Sequence, residues 1–107
     1  MIKITRGTTN VFADLGYLDA PERQTKTRLA LAVNELLKIR SLKQREIALL
    51  LGIPQPKLSA LKNYRLDYFS VESLMEFLTA LNQEVEIMIR PRAKRSKSGR
   101  ISVLAVQ

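Results

Sequence analysis

The sequence predicts a mainly α-helical domain of four to five helices built around a helix-turn-helix, with a small antiparallel β element at its C-terminal end. Three observations carry this. Apolar residues recur at helical spacing through much of residues 20–82, most clearly in Gln44–Asn63. Gly52 divides that segment into two short amphipathic stretches, with Ile47, Ala48 and Leu51 on one side of the first and Leu58 and Leu61 on one side of the second. After Asn82 the period drops to two, as Val85, Ile87 and Ile89 alternate with Glu84, Glu86 and Met88.

Taken in order, Met1–Thr9 is a polar arm whose first five residues alternate weakly and could add a strand. Asn10 can cap a short turn over Val11–Leu15 that Gly16 ends in the left-handed conformation. Asp19-Ala20-Pro21-Glu22 is a helix start, with Asp19 placed to accept from the Glu22 N–H and proline tolerated in the first turn. That helix is expected to reach about Arg40, turning Leu29, Val33, Leu36 and Leu37 inward. Ser41 is expected to cap the next helix, which Gly52 ends, and the third runs from near Pro54–Pro56 to near Tyr64. Arg65–Phe69 reads as a loop. Ser70 opens a fourth helix with Leu74, Phe77, Leu78 and Leu81 in a narrow arc, Glu72 and Glu76 facing out, and Asn82 as C-cap. Pro91–Arg100 is a basic, serine-containing linker, and Ile101–Val106 is a second strand candidate. The organisation is then an arm (1–19), a helix-turn-helix domain (20–82) and C-terminal strands with a basic linker (83–107), with no internal repeat. A lone two-stranded hairpin is marginal in water. The last unit is therefore expected to pair with its copy in a symmetric dimer, the alternative being that both strands pack on the fourth helix.

Composition narrows the function. A chain of 107 residues fits one domain and one core. It holds no cysteine and no histidine, so disulfide and thiolate chemistry are absent and a zinc site would need carboxylates alone. Ser59 and Ser70 have no evident base, and the four glycines form no phosphate-cradling loop, so no catalytic residue, metal site or cofactor is expected. No apolar run is long enough for a membrane span or a signal peptide, which leaves the cytoplasm as the expected location. The formal charge is +8. Residues 1–89 hold 12 basic and 10 acidic side chains, whereas 90–107 hold six basic residues and no acid. Arg40–Arg65 holds six basic residues against Glu46 alone. Positive charge thus gathers on the helix-turn-helix and on the tail, the footprint of a polyanion partner. No aromatic interleaves with Arg92–Arg100, which argues against base stacking by the tail alone.

A helical wheel assigns roles. Ala48 is small where the third helix crosses, Gly52 turns the chain through positive φ, and Ile53 plugs the turn. The outward face of the third helix presents Pro56, Ser59, Ala60 and Asn63, small or polar residues that let a helix sit deep in the DNA major groove. Gln55, Ser59 and Asn63 are the base-edge candidates; Gln and Asn amides pair bidentately with adenine. Lys57 and Lys62 on the flanks, with Lys43, Gln44 and Arg45 at the start of the second helix, are the phosphate candidates. Each also has a plainer role: Gln55 as an N-cap, Ser59 as a small surface residue, Asn63 as a helix end. Leu49 points away from the core, beside Arg45.

At these residues the chain resembles the Xre/Cro-type helix-turn-helix family, and more closely the HigA-like antitoxins of type II toxin–antitoxin pairs. The resemblance rests on Asn10-Val11-Phe12-Ala13-Asp14-Leu15-Gly16, on Leu51-Gly52-Ile53-Pro54-Gln55-Pro56-Lys57-Leu58-Ser59, and on Phe69-Ser70-Val71-Glu72-Ser73-Leu74 leading to Glu84-Val85-Glu86-Ile87 and the basic tail. It covers most of residues 10–107 and departs from the family at Lys43, where threonine is common, and at Leu49, where a charged residue is common. It implies a homodimer that represses its own operon at a palindromic double-stranded DNA site and silences a RelE/HigB-like ribonuclease toxin, with residues 1–19 or 90–107 as the places for toxin contact. A stand-alone or phage-type regulator without a toxin is the alternative.

Overall fold

The computed structural model describes residues 19–92 and 99–106. Among them run four helices: α1 (Asp19–Lys38), α2 (Gln44–Leu51), α3 (Gln55–Lys62) and α4 (Val71–Ala80). The expected turn around Asn10–Gly16 and most of the basic linker lie outside the described residues.

α1 is the longest element; it packs chiefly against α4 and also meets α3, and α2 packs against α3 and α4. Pro21 falls in its first turn, where no intrahelical donor is missed. Thr25, buried, turns its hydroxyl back to donate to the Pro21 carbonyl at 3.0 Å. Leu29, Ala30, Val33 and Leu37 form the buried stripe, with Leu36 half-buried at its edge. The helix stops at Lys38, two residues short of the expected end, because Arg40 has another task. Its N–H closes on the Leu37 carbonyl, and its guanidinium donates to the Leu81 carbonyl at 3.1 Å, tying the end of α1 to the end of α4.

α2 begins at Gln44, not after Ser41. Lys43 occupies the N-cap, and the Glu46 carboxylate accepts its backbone N–H at 2.9 Å. Lysine has no acceptor to return, so only the glutamate half of the reciprocal capping pair exists. Ser70 caps α4 as expected, and completely: its hydroxyl accepts from the Ser73 N–H at 3.0 Å, and its own N–H donates to the Ser73 hydroxyl at 3.1 Å.

The core joins the inner faces of all four helices with Leu66 and Phe69 from the segment between α3 and α4. Phe69 meets Phe77 edge to face at 5.9 Å and 79°, a favoured aromatic geometry.

The C-terminal β element expected from the alternation is not there: residues 83–92 and 99–106 contain no strand. Val85 and Val103 pack, half-buried, against the helical core. Ile87, Met88 and Ile89 are 40%, 78% and 56% exposed, so alternation does not sort them onto two faces. The reason is energetic. A two-stranded ribbon is marginal alone, and two valines anchored on helices bury their apolar surface without needing a ladder.

Candidate nucleic-acid interface

The helix-turn-helix is built from short helices that cannot stand alone. Eight-residue helices are unstable in isolation, so α2 and α3 exist because Ile47, Ala48, Leu51, Leu58 and Leu61 are buried together. Ala48 is 6% exposed, which leaves no room for a longer side chain where α3 meets α2.

Gly52 makes the turn. Its φ of 71° and ψ of 33° are left-handed. Its N–H donates to Leu49 at 3.2 Å, and the Ile53 N–H donates to Ala48 at 3.0 Å, the paired closure that ends a helix without orphaned carbonyls. Ile53 packs half-buried behind it. Pro54, the N-cap of α3, then accepts from the N–H groups of Lys57 and Leu58, both at 3.0 Å, and Pro56 sits in the first turn, where proline is tolerated. Gln55 is therefore the first helical residue and not the cap; its side chain is exposed.

The rest of α3 divides largely as its wheel predicts. Leu58 and Leu61 are fully buried, and Gln55, Pro56, Ser59, Lys62 and Asn63 are exposed. Ala60, placed outward from the sequence, is half-buried and packs against the core. Asn63 is the C-cap, and its amide donates to the Ser59 carbonyl at 2.8 Å, so one of its two N–H groups is engaged within the helix. Lys57 is half-buried, its ammonium 5.1 Å from the centre of the Phe69 ring. That contact holds the cation against the protein at the flank of α3. Lys43, Gln44 and Arg45 are exposed at the start of α2, where the positive helix end adds to their charge. In the tail, Arg90, Arg92 and Arg100 are exposed; Lys94, Arg95 and Lys97 lie outside the described residues.

Two features of the site were missing from the sequence reading. Tyr64, just past α3, has a φ of 59°, a conformation non-glycine residues rarely hold. It closes α3 in the same manner as Gly52 closes α2: its N–H donates to Leu61 at 3.2 Å, and the Arg65 N–H donates to Ala60 at 2.9 Å. Buried Asn34 of α1 donates to the Leu61 carbonyl at 3.2 Å. Apolar spacing alone does not flag either residue, since a lone polar residue on an apolar stripe reads as noise.

Among the described residues no cluster of acidic side chains could hold a metal ion, and no helix is long and apolar enough to cross a membrane. Residues 11–90 match the family model described as a helix-turn-helix domain. A solved structure of a protein assigned to the XRE family of transcriptional regulators is similar at 53% identity and a TM-score of 0.78, covering 82% of this chain and 99% of that one. No curated protein matches the chain.

Proposed function

We propose, on the premise that this chain belongs to the XRE family of helix-turn-helix DNA-binding regulators, that it reads a specific DNA sequence through α3 and represses transcription from that site as a dimer on a palindrome. The observation that supports this best is the outward face of α3. It offers polar Gln55, Ser59 and Asn63 and small Pro56, with Lys62 on one flank and Lys57 on the other. Such a helix can enter a major groove without steric conflict, with amides and a hydroxyl towards the base edges and cations towards the phosphates.

The test is a variant that separates base reading from charge. Ser59→Arg adds a bulky cation at the centre of the face. It should lower affinity for the duplex that the wild-type chain selects from a random library, while raising or preserving affinity for a scrambled duplex. Equal changes on both duplexes would remove α3 from base readout.

The paired-toxin reading rests on the sequence resemblance to HigA-like antitoxins, and the same fold serves a stand-alone regulator equally well. Co-expression with the product of the neighbouring gene decides between them. Co-purification of a small basic protein whose ribonuclease activity this chain suppresses supports the antitoxin; a chain that purifies alone and still represses is a plain regulator.

A further inference from the structure

Two polar side chains are buried among the described residues, Thr25 and Asn34. Thr25 is explained within its own helix by its bond to the Pro21 carbonyl. Asn34 is not. Its amide nitrogen leaves α1 and donates to Leu61, 27 residues away, at the last turn of α3. That carbonyl already has a donor, the N–H of Tyr64 at 3.2 Å. Meanwhile the Asn34 amide oxygen is buried with no partner.

The balance of these facts is unusual. A carbonyl with one bond gains little from a second, whereas a buried acceptor without a partner loses its hydration uncompensated. Stability alone does not account for an amide at this position; a leucine of similar shape would fit the apolar stripe of Leu29, Ala30, Val33 and Leu37 around it. What the amide does provide is a directional link from the long scaffold helix to the C-terminal turn of α3, next to Lys62 and Asn63. The same place in the fold holds Tyr64 in its left-handed conformation, and Asn34, Leu37, Lys38, Lys62 and Tyr64 line one open cleft of about 260 Å³ there.

We infer that Asn34 is a positioning residue for base reading: its amide sets how α3 is presented to DNA, at the expense of an unpartnered oxygen in the core. It touches no DNA itself. The inference rests on the reading of α3 as the recognition helix, and predicts that stability and sequence discrimination respond to Asn34 in opposite directions.

The experiment compares the full-length wild-type chain with Asn34→Leu on two duplexes, the one selected by the wild type from a random library and a scrambled version of equal length. Thermal unfolding of Asn34→Leu should occur at or above the wild-type temperature. The ratio of selected to scrambled affinity should fall by about fivefold or more, the low end for loss of one good base contact. Scrambled-duplex affinity and its salt dependence should stay unchanged, because the phosphate-facing cations remain. A discrimination ratio unchanged within about twofold, or a parallel loss on both duplexes with a lower unfolding temperature, would overturn the assignment. Should Asn34→Leu not fold, Asn34→Ala, which removes the amide without filling its place, is read by the same ratio below its own unfolding temperature. A wild-type chain that selects no sequence at all would defeat the recognition-helix reading, and this inference with it, before any variant is made.

Discussion

Gly52→Ala tests the turn in its simplest form, because the structure separates backbone strain from crowding. Gly52 holds φ at 71°, and a Cβ added there meets nothing within 4 Å. The substitution therefore incurs no steric clash, only the conformational cost of an L-residue in the left-handed region, about 1–2 kcal/mol. Against this, alanine restricts the unfolded chain more than glycine does, which returns about 0.4–1 kcal/mol. The net is a destabilisation of about 1 kcal/mol, or roughly 4–8 °C for a domain of this size. Thermal unfolding by circular dichroism, paired with urea titration, measures it. The urea midpoint should fall with an unchanged slope, since the surface exposed on unfolding is the same. Gly52→Asn should lie between the two, as asparagine tolerates this conformation better than alanine. An alanine variant as stable as wild type would refute the argument that α2 and α3 are joined through an obligatory left-handed residue. A changed urea slope would instead mean that the turn had refolded into another path.

Two further perturbations probe the helix ends. Ser70→Ala removes the acceptor of the Ser73 N–H, while the bonds of the Ser73 hydroxyl to the Ser70 backbone remain, and should lower stability by about 1 kcal/mol in denaturant titration; no change would show that the side-chain cap adds nothing to the packing of α4. Tyr64→Gly relieves a φ of 59°, so its sign should oppose that of Gly52→Ala. The gain of about 1–2 kcal/mol from the backbone, less about 0.4–1 kcal/mol of unfolded-state freedom, predicts an unfolding temperature equal to or above wild type. A fall of more than about 4 °C would show that the ring, 42% exposed, packs in its cleft strongly enough to outweigh the strain.

What the sequence made legible was decided by how local the cause is. The inward sets Ile47, Ala48, Leu51 and Leu58, Leu61 follow from a 3.6-residue period that no distant contact overrides, and all five are buried. Gly52 is readable because glycine favours the left-handed conformation it adopts, whereas Asn82, expected as the C-cap of α4, is left-handed but stands one residue beyond the actual cap, Leu81. Tyr64 is left-handed too, against its type, so residue type does not report it. Residue type alone favours Ser41 as a cap, whereas the glutamate three residues beyond Lys43 fixes the true start of α2. The C-terminal alternation misled for a related reason. Period two shows only that alternate residues differ in polarity; a strand also needs a partner strand, and here Val85 and Val103 are taken up by the helices. Asn34 and Arg40 act across 27 and 41 residues of sequence, and no local pattern reports such bonds.

Among the described residues, three left-handed closures, at Gly52, Tyr64 and Asn82, bear on how the helix-turn-helix and the proposed recognition face keep their shape. Each lets the chain leave a helix with its last carbonyls bonded, so short helices follow one another without long connecting loops. α3 gains most from this. It has only two fully buried side chains, Leu58 and Leu61, too few to fix its rotation about its own axis. Its start is fixed by the Gly52 turn and the Pro54 cap, and its end by the Tyr64 closure and the Asn34 bond to Leu61. Fixing both ends determines which residues face outward, and Gln55, Ser59 and Asn63 are the ones so presented. Substitutions at these ends should therefore change sequence discrimination even where they leave the core, and most of the stability, intact.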